Sequence, residues 1–143
     1  MIKKYWILTL VLTLICHNAH SKNDIFITAS VNGEILTNLD VHQEIEYLKI
    51  LNPELNELNN KKIFNIAKKS LINEKIKKKE LENFFVFDEE VPLINQIFED
   101  FYKNLGFSNE KEFENILSQK KTFSIIQIKK KMKIELFWNR IIL

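Results

Sequence analysis

Asn32-Gly33 stands between two short runs, "FITASV" and "EIL", and Thr37 and Asp40 follow at the spacing of a helix cap. Asn and Gly tolerate the positive φ that both central positions of a type I′ turn require, so the two runs are predicted to pair as antiparallel strands. In the first run, strict alternation puts Ile27, Ala29 and Val31 on one face and Phe26, Thr28 and Ser30 on the other. Thr37 and Asp40 have the capping-box pattern, in which the hydroxyl accepts a backbone N–H and the carboxylate reaches back. A helix therefore starts where the second strand ends. Asn32, Gly33, Thr37 and Asp40 are the structural motif of this hairpin-to-helix junction.

The rest of the chain reads as helices. The first is predicted from Asn38 to Leu51, with Val41, Ile45 and Leu48 on one stripe, and Asn52-Pro53 ends it. A polar loop leads to a second helix, about Asn60 to Asn83, with Ile63, Ala67 and Leu71 at helical spacing. The stretch "FFVFDEE" breaks it. A third, about Glu89 to Leu105, carries Ile94, Phe98 and Phe101 and stops at Gly106. Asn109 and Glu112 cap a short fourth that buries Phe113, Ile116 and Leu117. Thr122 is read as opening a last helix with Ile125, Ile128, Met132 and Leu136 on its stripe. The expected fold is mainly α: a compact five-helix domain preceded by a short N-terminal β-hairpin.

Residues 1–21, "MIKKYWILTLVLTLICHNAHS", have the pattern of a secretory signal peptide. Lys3 and Lys4 precede the apolar run Tyr5 to Ile15, and Ala19-His20-Ser21 supplies a small-x-small cleavage site. Eleven apolar residues fall short of the roughly 20 that a bilayer span needs, so no membrane anchor is expected after cleavage. The domain is then residues 22–143. Two of the 21 Lys and Arg precede residue 22, leaving 19 against 19 Asp and Glu. A formally neutral domain has no net electrostatic reason to bind nucleic acid. Cys16 is the only cysteine, so this domain has no thiol chemistry and no cysteine metal site.

Candidate catalytic residues are sparse. His42, the one histidine beyond the signal, lies off the apolar stripe without a Ser, Asp or Cys motif, and is read as solvent-facing. Asp88-Glu89-Glu90 is read as acids at a helix start, where the dipole favours them. The runs Lys77–Lys79 and Lys129–Lys131 sit on amphipathic helices near acids and are read as solvated faces. No catalytic group, metal or cofactor is expected. The aromatics are more informative: eleven Phe occur, several of them off the stripes. Phe84, Phe85, Phe87, Tyr47 and Trp138 are candidates for an apolar groove that takes another chain; plugging the ends of the bundle is the competing role.

The order of these features resembles the N-terminal domain of SurA-type periplasmic chaperones. The residues that carry the resemblance are Asn32-Gly33 in "VNGEILTNLDV", then Ile35, Thr37 and Asp40 at the family's I-T-x-x-D. Leu71, Ile72, Glu74 and Ile76 follow in the second helix, then "GFSNEKEFENIL" from Gly106 to Leu117, then the basic last helix. The resemblance covers roughly residues 25–143. It implies a periplasmic protein that holds unfolded outer-membrane proteins without nucleotide. Family members often carry parvulin-type prolyl isomerase domains, for which two glycines and one histidine beyond the signal leave no room here. Two alternatives are an isomerase whose catalytic part lies outside this chain and a helical adaptor with one fixed partner. The apolar ending "FWNRIIL" adds the expectation of self-association, or of docking to a missing C-terminal segment of the chaperone.

Overall fold

The structure, a computed structural model, describes residues 24–87 and 89–142. The predicted signal segment, Asp88 and Leu143 lie outside these residues. Strand β1 (Ile27–Val31) and strand β2 (Glu34–Thr37) form an antiparallel hairpin. Five α-helices follow: α1 (Asn38–Leu51), α2 (Asn60–Leu81), α3 (Pro92–Asn104), α4 (Glu110–Gln119) and α5 (Ile125–Ile142). The fold is mainly helical, as expected.

The hairpin turns on Asn32 (φ 52°) and Gly33 (φ 84°), between the paired residues Val31 and Glu34. Positive φ at both positions is the type I′ geometry. The capping box is complete: Asp40 N–H donates to Thr37 Oγ1 at 3.2 Å and Thr37 N–H donates to Asp40 Oδ2 at 2.7 Å. Asn38 adds a clamp that was not anticipated. Its Oδ1 accepts the Phe26 N–H at 2.9 Å, and its Nδ2 donates to the Asp24 carbonyl at 3.1 Å.

The predicted alternation fails at Ile27. Ala29 pairs with Leu36 but Ile27 pairs with Thr37, so β1 holds one extra residue, a β-bulge at Thr28. An extra residue resets the period of two. Ala29 and Val31 stay with buried Leu36, while Ile27 turns outward beside Ile35, 63% and 57% exposed. Thr28 Oγ1 donates to the Leu36 carbonyl at 3.0 Å, and the Thr28 carbonyl accepts from Lys68 of α2 at 2.6 Å. Lys75 pairs with Glu34 at the other end of the hairpin. These bonds dock the hairpin on α2 over Leu36, whose burial contributes roughly 2 kcal/mol.

Helix ends follow local chemistry, with three departures from expectation. The loop after Asn52 contains a 3₁₀ turn, Pro53–Glu57, which Asn52 caps through the Glu54 N–H at 3.0 Å. Helix α3 starts at Pro92 rather than Glu89, because Pro lacks the N–H that a first helical residue leaves unused. Glu89 and Glu90 are exposed ahead of it. Helix α5 starts at Ile125 rather than Thr122. Ser124 and Gln127 make a reciprocal cap there, with Gln127 Oε1 accepting the Ser124 N–H at 2.8 Å. Thr122 lies in the connection after α4 and bonds back to it, its hydroxyl donating to the Leu117 carbonyl at 3.3 Å.

The core is divided into three clusters. Leu36, Val41, Ile45, Ile63, Ala67 and Leu71 join the hairpin to α1 and the first half of α2. Tyr47, Phe98, Tyr102, Phe113, Leu117, Phe123, Ile125 and Ile128 join α1 to α3, α4 and the start of α5. Leu81, Ile134 and Phe137 join the end of α2 to the second half of α5, with Phe85 and Phe87 packed against them. Helix α5 thus serves two clusters on different sides. Its buried face rotates from Ile125 and Ile128 to Ile134 and Phe137, away from the predicted stripe, where Met132 and Leu136 are half-buried.

Candidate client-binding surface

The five aromatic candidates do not gather into one groove. Tyr47 is buried on α1, edge-on to Phe123 at 5.7 Å. Burial, helped by the charge of Glu44, pushes its phenol above the usual tyrosine range. Phe85 and Phe87 are half-buried in the segment after α2. Phe85 stacks on Phe137 at 4.2 Å, and Phe87 meets the same ring edge-on at 5.7 Å. Trp138 packs against this third cluster, with Lys77 Nζ 5.8 Å from its ring. Phe84 alone is fully outside, 69% exposed, next to Val86 at 62%. Four of the five therefore sit at the α2–α5 end of the domain, and Tyr47 is a core residue of a different cluster. Glu44, three residues before it on α1, shares its face, and both side chains meet Lys131 of α5.

Lys133 holds the segment after α2 in place. The residue is 8% exposed, and its ammonium donates to the Phe87 carbonyl at 2.6 Å and to the Glu89 carbonyl. A lysine among apolar residues of a helix is an ambiguous sign in sequence, and this one has a backbone-capping role.

The lysine runs are only partly solvated faces. Lys131 pairs with Glu44 at 2.9 Å and with Glu74, and lies over the rings of Tyr47 and Phe123 at 5.5 and 4.7 Å. Lys129 donates to Asn95 at 3.0 Å and covers Phe98. Lys77 pairs with Glu135 at 2.7 Å. Lys78 and Lys79 pair with Glu82 and fit the solvated reading, as does exposed Lys130. His42 is exposed, edge-on to Phe64. Among the described residues no group of His, Cys, Asp and Glu is placed to hold a metal ion, and no helix is long and apolar enough to cross a membrane.

Two clefts open where the clusters fail to merge. The first, about 360 Å³, lies between the hairpin, α2 and α5. Leu36, Leu71, Phe123 and Ile134 form its buried floor, with Phe87 and exposed Ile35 at its mouth. The second, about 540 Å³, lies between α1, α2, α3 and α5 and is lined by Leu48, Leu51, Ile97, Phe101, Met132 and Leu136 among others. Beyond the first cleft, Ile25, Phe26 and Ile27 add to the exposed apolar surface that Ile35 begins at its mouth. The sequence reading missed the cleft floors and this outer surface. The floors come from helix–helix contact and had no local signal. The Ile27–Ile35 surface hinges on the bulge.

Comparison with family models, curated proteins and solved structures finds no match to this chain.

Proposed function

We propose that this protein is a SurA-type chaperone module of the periplasm that holds extended segments of unfolded outer-membrane proteins. The observation that carries the reading is the hairpin-side cleft: an apolar floor of Leu36, Leu71, Phe123 and Ile134 opening beside exposed Ile35. Exposed Phe84 and Val86 extend the apolar surface in the same chain segment as Phe87. Contiguous exposed apolar surface with a polar surround is what a partner-binding surface presents. Each apolar client side chain buried contributes roughly 1.5–3 kcal/mol, and ordering the client opposes it. Holding is then weak and tolerant of sequence, which suits a chaperone that releases without nucleotide.

The test is suppression of aggregation of a urea-unfolded outer-membrane barrel protein diluted into buffer, with a prolyl-isomerisation assay alongside. Suppression at stoichiometric protein with no isomerisation above background is the expected result. Unchanged aggregation at tenfold excess overturns the reading, and catalysed isomerisation replaces it with an enzymatic one.

A further inference from the structure

Helix α2 is charged unlike the rest of the domain. It carries eight lysines against two glutamates in a formally neutral domain, so the remainder of the domain is net negative. Five of the eight are engaged within the fold: Lys68 with the Thr28 carbonyl, Lys75 with Glu34, Lys77 with Glu135, and Lys78 and Lys79 with Glu82. Lys61, Lys62 and Lys69 are exposed and pair with no carboxylate among the described residues. Lys62, Ile66, Lys69, Asn73 and Ile76 recur at steps of four and three, which makes one exposed stripe away from buried Ile63, Ala67 and Leu71. The stripe is about 21 Å long. We propose that it is a contact surface for an anionic phospholipid bilayer, against which the domain lies with α2 along the membrane plane.

Charge and apolar exposure on one face select this occupant. Lys61 and Lys62 fall in the first turn of α2, where the helix dipole is already positive and no acid offsets them. That placement is unfavourable within the fold, and a facing layer of phosphates relieves it. Ile66 and Ile76, 42% and 43% exposed, stand in the same stripe as Lys62 and Lys69. At a bilayer surface the isoleucines enter the acyl boundary while the lysine stems follow them and keep their ammonium groups among the phosphates. Nucleic acid would use the charge alone, because the stripe has no aromatic to stack on a base and no arginine to fork a phosphate. The same bilayer repels the negative remainder of the domain, so the charge asymmetry turns α2 toward lipid. Glu80 ends the stripe one turn beyond Ile76. Of the stripe only Asn73 lines either cleft, so this contact goes beyond client holding and does not depend on it.

The experiment sediments the intact protein with vesicles of phosphatidylcholine, or of equal parts phosphatidylcholine and phosphatidylglycerol. Residues 1–23 are common to parent and variants, so a difference between them reports on α2. Expected is tighter binding to the anionic vesicles, weakening as salt rises. Lys62→Gln with Lys69→Gln should weaken that binding by about tenfold and keep the melting temperature of the parent. Ile66→Ser should weaken it further. A photo-reactive phenylalanine at Ile66 should cross-link phosphatidylglycerol, and one at exposed Glu114 of α4 should not. Binding of the double lysine variant equal to that of the parent overturns the proposal. So does lipid cross-linking from Glu114 as strong as from Ile66. Tighter retention of single-stranded polyuridylate than of anionic vesicles, lost in the double lysine variant, overturns it in favour of nucleic acid.

Discussion

Glu44 of α1, 1% exposed, accepts a hydrogen bond at 2.9 Å from Lys131 of α5, 87 residues further along the chain. Ser70 Oγ donates to its other oxygen at 2.7 Å, so α1, α2 and α5 are tied at one carboxylate. Glu44 and Lys131 both line the cleft between α1, α2, α3 and α5.

Removing one partner of such a pair leaves an uncompensated buried charge. Lys131→Met keeps the stem and loses the ammonium, so it should lower stability by about 3 kcal/mol. The double variant Glu44→Gln with Lys131→Met removes both charges and should recover most of that loss. Urea unfolding of the parent, the single and the double variant measures this. Equal midpoints for the single variant and the parent would show that the pair is not buried.

The hairpin carries the pH-sensitive contact. The hydrogen bond from Lys75 holds the Glu34 carboxyl below the usual carboxylate range, and Lys75, Lys78 and Lys79 add attraction. A carboxyl depressed by folding adds stability above its unfolded pKa and loses it as pH falls through the folded value. The group is half exposed, so the gain at neutral pH is under about 1 kcal/mol. Glu34→Gln should therefore be slightly less stable than the parent at pH 7, and the difference should vanish at pH below the usual carboxylate range. A difference that grows on acidification would contradict the assignment.

Local chemistry was the legible part of this sequence. Asn32-Gly33 and Thr37-x-x-Asp40 act within four residues, and both appear as the patterns require. The stripe Ile63, Ala67, Leu71 was also legible, because α2 buries one unbroken face there. Legibility fails where two distant surfaces decide. The role of Lys131 depends on Glu44 and Glu74, and that of Phe137 on a segment some 50 residues earlier, Phe85 to Phe87. Glu44 gave a usable sign: it lies three residues from Val41 on the inward side of α1, where a carboxylate needs a buried partner. The aromatic candidates were unresolved for the same reason, since Phe84 and Phe85 differ only in which one meets Phe137.

The hairpin junction predicts a graded response. Gly33 has φ 84° with open space around a Cβ, so any penalty there is conformational and not steric crowding by neighbours. Gly33→Val should destabilise more than Gly33→Asn, because a β-branched residue resists positive φ and Asn tolerates it. Thr37→Ala should cost about 1 kcal/mol through the lost cap. Thermal melts of the three variants check the order; coincidence of all three with the parent would remove the hairpin from the cooperative unit.

Phe84 and Phe85 separate function from stability in adjacent residues. Phe85 stacks on buried Phe137 at 4.2 Å and is half-buried. Phe85→Ala loses both the ring pair and part of an aromatic burial, about 2 kcal/mol. Phe84 is 69% exposed, so Phe84→Ser should leave stability within about 0.5 kcal/mol of the parent. If the segment after α2 contacts client, Phe84→Ser should still reduce suppression of barrel-protein aggregation, and a second exposed change, Ile35→Ser, should reduce it further. Melting temperatures and light scattering on the same preparations distinguish the two effects. Full suppression by the Phe84→Ser, Ile35→Ser double variant would place client binding away from both the hairpin-side cleft and this segment.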